Sequence, residues 1–268
     1  MQKFGIDTSA WQGDFDFKRA KEKEGVEFAI LKIGGGDAGL YSDKQFNNSY
    51  WKCKSIDMPV GAYYFGHAMS MNQAESEVNH ILKLLDGRMF EYPIFYDVEG
   101  DMLKVDRRTL TNIINYVCSS LERAGYWAGI YGSVDNLQYH TYDSELKRYS
   151  HWGASWSVKE PPIFKSGSAT QLWQFGGSKN SIRSTQINGQ TVDQNYCYID
   201  YPSKIKAKGL NGYGKKTYTE YVVKKSDCLW GIATKLLGSG VRYSEIKELN
   251  NLPDNLIVPG QVLKIPQK

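Results

Sequence analysis

The residues best placed to do chemistry lie in one short run, Pro93-Ile94-Phe95-Tyr96-Asp97-Val98-Glu99-Gly100. A short apolar run bounded by turn residues reads as a buried strand. Alternate side chains of a strand share a face. Asp97 and Glu99 therefore project the same way, with Cα atoms about 6–7 Å apart at the usual strand rise. Two acids on one face at the end of a buried strand repel each other and raise at least one pKa. One acid kept protonated beside one ionised is what glycoside hydrolysis needs. The same run would also serve as a strand end whose carboxylates cap the next helix or hold a cation. The Cα spacing falls between the carboxyl distances of retaining and inverting glycosidases, so the stereochemical outcome stays open.

Elements that would position these acids recur along the chain. Phe4-Gly5-Ile6-Asp7 reads as a first strand ending in an acid, and Phe28-Ala29-Ile30-Leu31-Lys32-Ile33 as a second, followed by Gly34-Gly35-Gly36 as a permissive turn. No Lys-Ser or Lys-Thr follows the glycines, so they are no phosphate loop. Residues 60–65 and 126–131 add two more strands. Helical spacing fills 16–24, 43–53, 72–85 and 107–124, the last with Leu110, Ile113, Ile114, Val117 and Leu121 on one face and Gly125 as its stop. Beyond 131 the helices shrink, and 151–156, 170–175 and 190–196 read as strands joined mostly by loops. Alternating strands and helices imply parallel βαβ units, and about eight strands in roughly 200 residues is the size of a TIM-like (β/α) barrel. Functional residues of such barrels sit at the C-terminal ends of strands, where Asp7, Lys32, Asp97, Glu99 and Tyr131 all fall.

The net charge of +4 is unevenly spread. Residues 203–268 hold 12 Lys and Arg against 5 Asp and Glu, or +7, and the remainder holds 21 against 24, or −3. A basic tail suits an anionic polymer of a bacterial wall, or is simply a solvated surface. No Arg-rich aromatic motif points to nucleic acid, and no apolar stretch is long enough to insert in a membrane. Cys53, Cys118, Cys197 and Cys228 are scattered without a C-x-x-C pair, so no metal or cofactor is expected, and Cys53 and Cys118 read as buried thiols. The absence of an apolar signal region after Met1 suggests residence in the host cytoplasm before release. Residues 203–219, rich in Lys, Gly and Asn, read as a flexible linker. It separates a domain at 1–202 from a compact strand-helix-helix-strand (βααβ) α+β unit at 220–268.

The first domain resembles glycoside hydrolase family 25, the muramidases of bacteria and phages. The matching pieces are Gly5-Ile6-Asp7-Thr8-Ser9 with Gln12-Gly13, residues 59–65, Tyr96-Asp97-Val98-Glu99, Gln171-Leu172-Trp173-Gln174-Phe175 and Val192-Asp193-Gln194-Asn195, in the expected order. The resemblance implies an irregular barrel and hydrolysis of the β-1,4 bond from N-acetylmuramic acid to N-acetylglucosamine in peptidoglycan. It implies Glu99 as the general acid and Asp97 as its partner, assisting the substrate's N-acetyl group or stabilising positive charge. Asp7 and Asp193 resemble the other two acids of the cleft, and Tyr63, Tyr131 and Trp173 its sugar contacts. One departure stands out. The family commonly carries Lys-Ala-Thr-Glu-Gly after the second strand. Here Lys32 is followed by Ile33-Gly34-Gly35-Gly36-Asp37, so that acid is missing or displaced to Asp37, which implies an altered subsite.

The C-terminal unit resembles a LysM module, which binds N-acetylglucosamine-containing glycans, through Tyr221 to Ala233, Asn250-Asn251-Leu252 and Ile257 to Pro266. By that resemblance Ser226, Asp227, Cys228, Leu229 and the 254–257 loop through Ile257 line the glycan groove. Cys228 stands where the module usually has Thr, and Trp230 reads as core. Together the two resemblances imply a two-domain hydrolase acting on bacterial peptidoglycan strands, and the absent signal region points to an endolysin of phage type. The alternatives are a bacterial autolysin, a wall-binding protein whose barrel has lost activity, and a chitinase-like enzyme.

Overall fold

The computed structural model describes residues 2–156, 158–176, 186–214 and 218–266, in two compact units, 1–212 and 213–268. The first unit begins with strand β1 (Lys3–Thr8), helix α1 (Phe17–Glu24), β2 (Phe28–Gly35) and a two-residue β3 (Tyr41–Ser42). Next come α2 (Phe46–Ser55), β4 (Val60–Phe65), α3 (Met71–Leu85), β5 (Ile94–Asp97), α4 (Arg107–Arg123) and β6 (Ala128–Ser133). It continues through α5 (Val134–His140), β7 (Ser150–Ala154), β8 (Leu172–Gly176), a hairpin of β9 (Gln186–Ile187) and β10 (Gln190–Thr191), β11 (Asp193–Cys197) and α6 (Tyr201–Lys208).

The sheet runs β1-β11-β8-β7-β6-β5-β4-β2, and pairing of β1 with β2 closes it into an eight-stranded barrel. Seven strands are parallel, and β11 runs antiparallel to both of its neighbours. Parallel strands need crossovers long enough for a helix. Helices α1 to α4 fill the first four, α5 is short, and the described residues of 155–171 cross from β7 to β8 with no helix. The irregularity expected beyond residue 131 is therefore present. Helix α4 shows the local logic: Asp106 accepts from the N–H groups of Arg108 and Thr109, and Leu110, Ile113, Ile114, Val117 and Leu121 are buried. Gly125, at φ +86°, follows the helix end.

Two sequence expectations are corrected. Gly34 and Gly35 form no turn: they continue β2 and pair with β3, and neither has positive φ. The glycines are required by close approach. A Cβ on Gly34 would lie 2.1 Å from the Tyr41 carbonyl oxygen, and one on Gly36 would lie 2.2 Å from Glu77 Oε1. Residues 203–212 are not linker. They belong to the first unit, where α6 buries Tyr201 and Ile205, and the Asn211 side chain accepts from Trp127 N–H and donates to the Tyr92 carbonyl. Their polar composition reflects the exposed face of a helix and its Gly209 cap. Of the remaining linker positions, 215–217 lie outside the described residues.

The second unit pairs β12 (Tyr218–Val222) with β13 (Val262–Pro266), joined through α7 (Leu229–Leu237) and α8 (Tyr243–Leu249). Its core is Val223, Leu229, Ile232, Ala233, Leu237, Ile246, Leu263 and Ile265. Cys53, Cys118 and Cys197 are buried free thiols and Cys228 is an exposed one. Among the described residues no helix is long and apolar enough to cross a membrane.

Candidate active site

At the C-terminal mouth of the parallel strands lies a cavity of about 390 Å3 that takes in all four acids named from the sequence. Asp7 is near the end of β1 and Asp97 ends β5. Glu99 lies two residues further, in extended backbone, and so faces the same cavity as Asp97. Asp193 opens β11, whose reversed direction brings its first residue directly opposite Asp7 in the strand register. Like charges directly opposite one another cost stability, so this pairing is kept for something other than the fold. Lys32, Tyr63, Tyr131 and Trp152 complete much of the wall.

Burial sets the electrostatics. Desolvation pushes all four carboxyls above their usual range. Asp193 is pushed up to about 6 by burial. Glu99 is raised by burial and then by Asp193, with Lys32 pulling it back. Asp97 is raised well above its ordinary value by burial and Glu99, again against Lys32. Asp7 is raised by burial and Asp193 against hydrogen bonds from Asn195 and Gln174. Such a cluster holds protons at a pH where isolated carboxylates hold none.

Hydrogen bonding separates the acids further. Asp7 Oδ2 accepts from Asn195 Nδ2 at 2.7 Å and Gln174 Nε2 at 3.1 Å. Each amide is oriented from behind, Asn195 by the Trp152 indole N–H and Gln174 by the Tyr131 hydroxyl. By contrast, Asp97 Oδ1 is buried with no hydrogen-bond donor among the described residues. It is a buried acceptor whose capacity the described residues leave unused.

Three positions differ from the sequence expectations. Trp173 is not a sugar contact: it is 2% exposed, packs outside the barrel against Phe175 and Tyr196, and donates its indole N–H to the Ser155 carbonyl. Strand alternation turns it outward because its neighbour Gln174 points in. Asp37 does not line the cavity, so it does not replace the missing acid; Lys32 lies over the Phe65 ring, 4.8 Å from its centroid. Sequence reading also passed over Trp11, 92% exposed at the cavity edge on a 3-10 turn capped by Ser9. An exposed Trp next to an Asp-bearing strand end was the available signal.

In the second unit, Asp227 is occupied locally, its carboxylate accepting from Tyr221 hydroxyl and Lys224 N–H. Leu229 is core, Ile257 packs against the core, and Ser226 is exposed with φ +74°. Trp230, expected in the core, is 53% exposed and borders a cavity of about 330 Å3 with Cys228, Leu229, Tyr243 and Asn255. Among the described residues no group of three or more His, Cys, Asp or Glu side chains is arranged to hold a metal ion.

The family model of glycosyl hydrolases family 25 matches residues 6–183, about two thirds of the chain. The chain belongs to that family. The LysM domain model matches residues 221–266, so the family 25 barrel is followed by a LysM domain. In fold, the barrel is similar to the bacterial lysozyme from Streptomyces coelicolor, with a TM-score of 0.65 at 20% identity, covering 79% of this chain and 98% of that one. The modular autolysin LytC from Streptococcus pneumoniae gives a TM-score of 0.64 at 22% identity over 74% of this chain. The match spans 47% of the LytC chain. The protein YqbP of Bacillus subtilis is 36% identical over 81 residues, 26% of this chain and 36% of that protein's length.

Proposed function

We propose that this family 25 chain is a peptidoglycan hydrolase cleaving the β-1,4 bond between N-acetylmuramic acid and N-acetylglucosamine at the bacterial wall. The observation that carries this reading is the cavity with Asp7, Asp97, Glu99 and Asp193 gathered at the barrel's C-terminal mouth. Glu99 is the general acid. It is less enclosed than Asp97, and its raised pKa keeps a proton available for the leaving oxygen. Asp97, which lines the cavity, accepts through its carboxylate from the N–H of the substrate's N-acetyl group and so steers that group toward the sugar carbon as the bond breaks. Asp193, pushed up to about 6 and so ionised at neutral pH, holds negative charge near the developing positive centre, with Asp7 pinned opposite it by two amides. Tyr63 and Tyr131 contact the sugars, and exposed Trp11 offers a ring at the edge.

The LysM domain binds the glycan strand, with Cys228, Trp230 and Asn255 of the loop that runs to Ile257 lining its cavity. Two binding units on one polymer raise the effective substrate concentration at the barrel. The autolysin LytC, similar in fold to the barrel, has been solved with a synthetic peptidoglycan ligand, which supports the choice of substrate.

The test is turbidity loss of purified cell walls, with analysis of the new reducing ends. Wild type is expected to release muramic-acid reducing ends, and Glu99→Gln to lose at least about 100-fold in rate. Wall binding without lysis by the wild type would refute the enzyme reading and leave a glycan-binding protein.

A further inference from the structure

A second cavity, of about 510 Å3, opens at the opposite mouth of the barrel, where β6, β7 and β8 begin and α6 passes. The charged groups lining it are Lys147, Arg148, Lys204, Lys208 and Glu122. Glu122 is ion-paired with Arg148, which leaves three ammonium groups and no further acid among the described lining residues. Lys204 and Lys208 are one turn apart on α6 and so share a face. Lys208 Nζ lies over the Trp127 ring, 5.4 Å from its centroid.

The hydrogen-bond inventory has the same sign. The Ser150 hydroxyl, only 7% exposed, accepts from Trp127 Nε1 at 2.9 Å and from the Tyr201 hydroxyl at 2.8 Å. The Ser150 and Tyr201 hydroxyls carry two protons and share one hydrogen bond, so one proton of the pair has no acceptor among the described residues. Gln171 Oε1 accepts from His151 N–H at 2.6 Å, which leaves the amide N–H2 as its unused end. Like charges gathered at one cavity repel, and a buried donor without an acceptor costs free energy. A ligand rich in acceptor oxygens relieves both. A phosphodiester brings two charged oxygens and two ester oxygens to these five donor groups in a tetrahedral array, whereas a carboxylate brings two oxygens in one plane.

We propose that this cavity is a secondary binding site for a phosphate group, remote from the carboxylate cleft, with Lys204, Lys208 and Ser150 among its donors. Occupied by a phosphodiester of an anionic polymer, it would hold the barrel at a phosphate-bearing surface without contacting the glycan to be cut.

The full chain is titrated with fluorescently labelled poly(glycerol phosphate), as wild type, as Lys204→Ala/Lys208→Ala, and as Lys18→Ala/Lys23→Ala. The last pair removes the same charge from exposed positions of α1. All four lysines are exposed, and circular dichroism checks that each fold is retained. The cavity pair is expected to weaken binding about tenfold and the α1 pair less than about twofold. Displacement of the polymer by inorganic phosphate, beyond chloride at equal ionic strength, would assign the site to the phosphate group by itself. Binding that inorganic phosphate does not displace would assign it to the linked diester. Equal losses in both variants, or no binding of either probe, would overturn the proposal.

Discussion

At the residue scale, the cleft combines acids whose burial is costly. Asp193, pushed up to about 6 by burial, binds its proton more tightly folded than unfolded. Between about pH 4 and pH 6 the native state therefore holds more protons than the unfolded state, and stability falls as pH rises through that window. Asp193→Asn is expected to stabilise the chain at pH 7, on the order of 1–3 kcal/mol, and to leave it unchanged near pH 3.5. Thermal unfolding at the two pH values reads this directly, and an Asn variant no more stable at pH 7 would refute the burial cost. Lys32 acts on the chemistry rather than the fold, because its charge pulls both Asp97 and Glu99 down. Lys32→Met should therefore move the alkaline limb of the kcat/KM profile to higher pH. An unmoved limb would mean that Glu99 does not supply the proton.

At the element scale, β2 is built around its glycines. Backbone rather than a movable side chain meets a Cβ at Gly34. Gly34→Ala is expected to cost about 1–3 kcal/mol by overpacking, read as a lowered urea midpoint. If the midpoint is unchanged, the approach of β3 to β2 is not tight. Composition marked these glycines as special but not why, since a turn and a close approach call for the same residue. The helices were more legible. Residues 107–123 announce a helix by apolar spacing, an Asp cap and a following glycine, all local signals. Helix α6 carried two apolar anchors, Tyr201 and Ile205, among lysines, too few to stand out from a linker.

At the scale of the whole molecule, the boundary between the units follows burial rather than composition. A chain ending at 212 keeps α6 and Asn211, whose side chain ties Trp127 to Tyr92 across the barrel floor. One ending at 202 loses those hydrogen bonds and the burial of Ile205, worth about 3–5 kcal/mol together. The 1–212 fragment is expected to melt close to the barrel of the full chain and the 1–202 fragment well below it. Equal melting would put the boundary back where composition suggested. The 1–212 fragment should also keep its rate on short soluble glycans while losing about tenfold or more on insoluble walls, the effect of removing a tether.

Much was decided by the sequence alone. The βα alternation, the acids at strand ends and the two family patterns are local, and Asp97 and Glu99 face one cavity because a strand's period of two demands it. The same period determined Trp173 and Gln174, but which of the two points inward depends on the register of β8 between β7 and β11, a property of the closed sheet. Tertiary structure likewise set Asp7 opposite Asp193, through the reversal of one strand, and buried Asn211 beneath the barrel. Local propensity sees neither, because both are contacts between residues more than a hundred positions apart in the chain that meet only once the barrel closes.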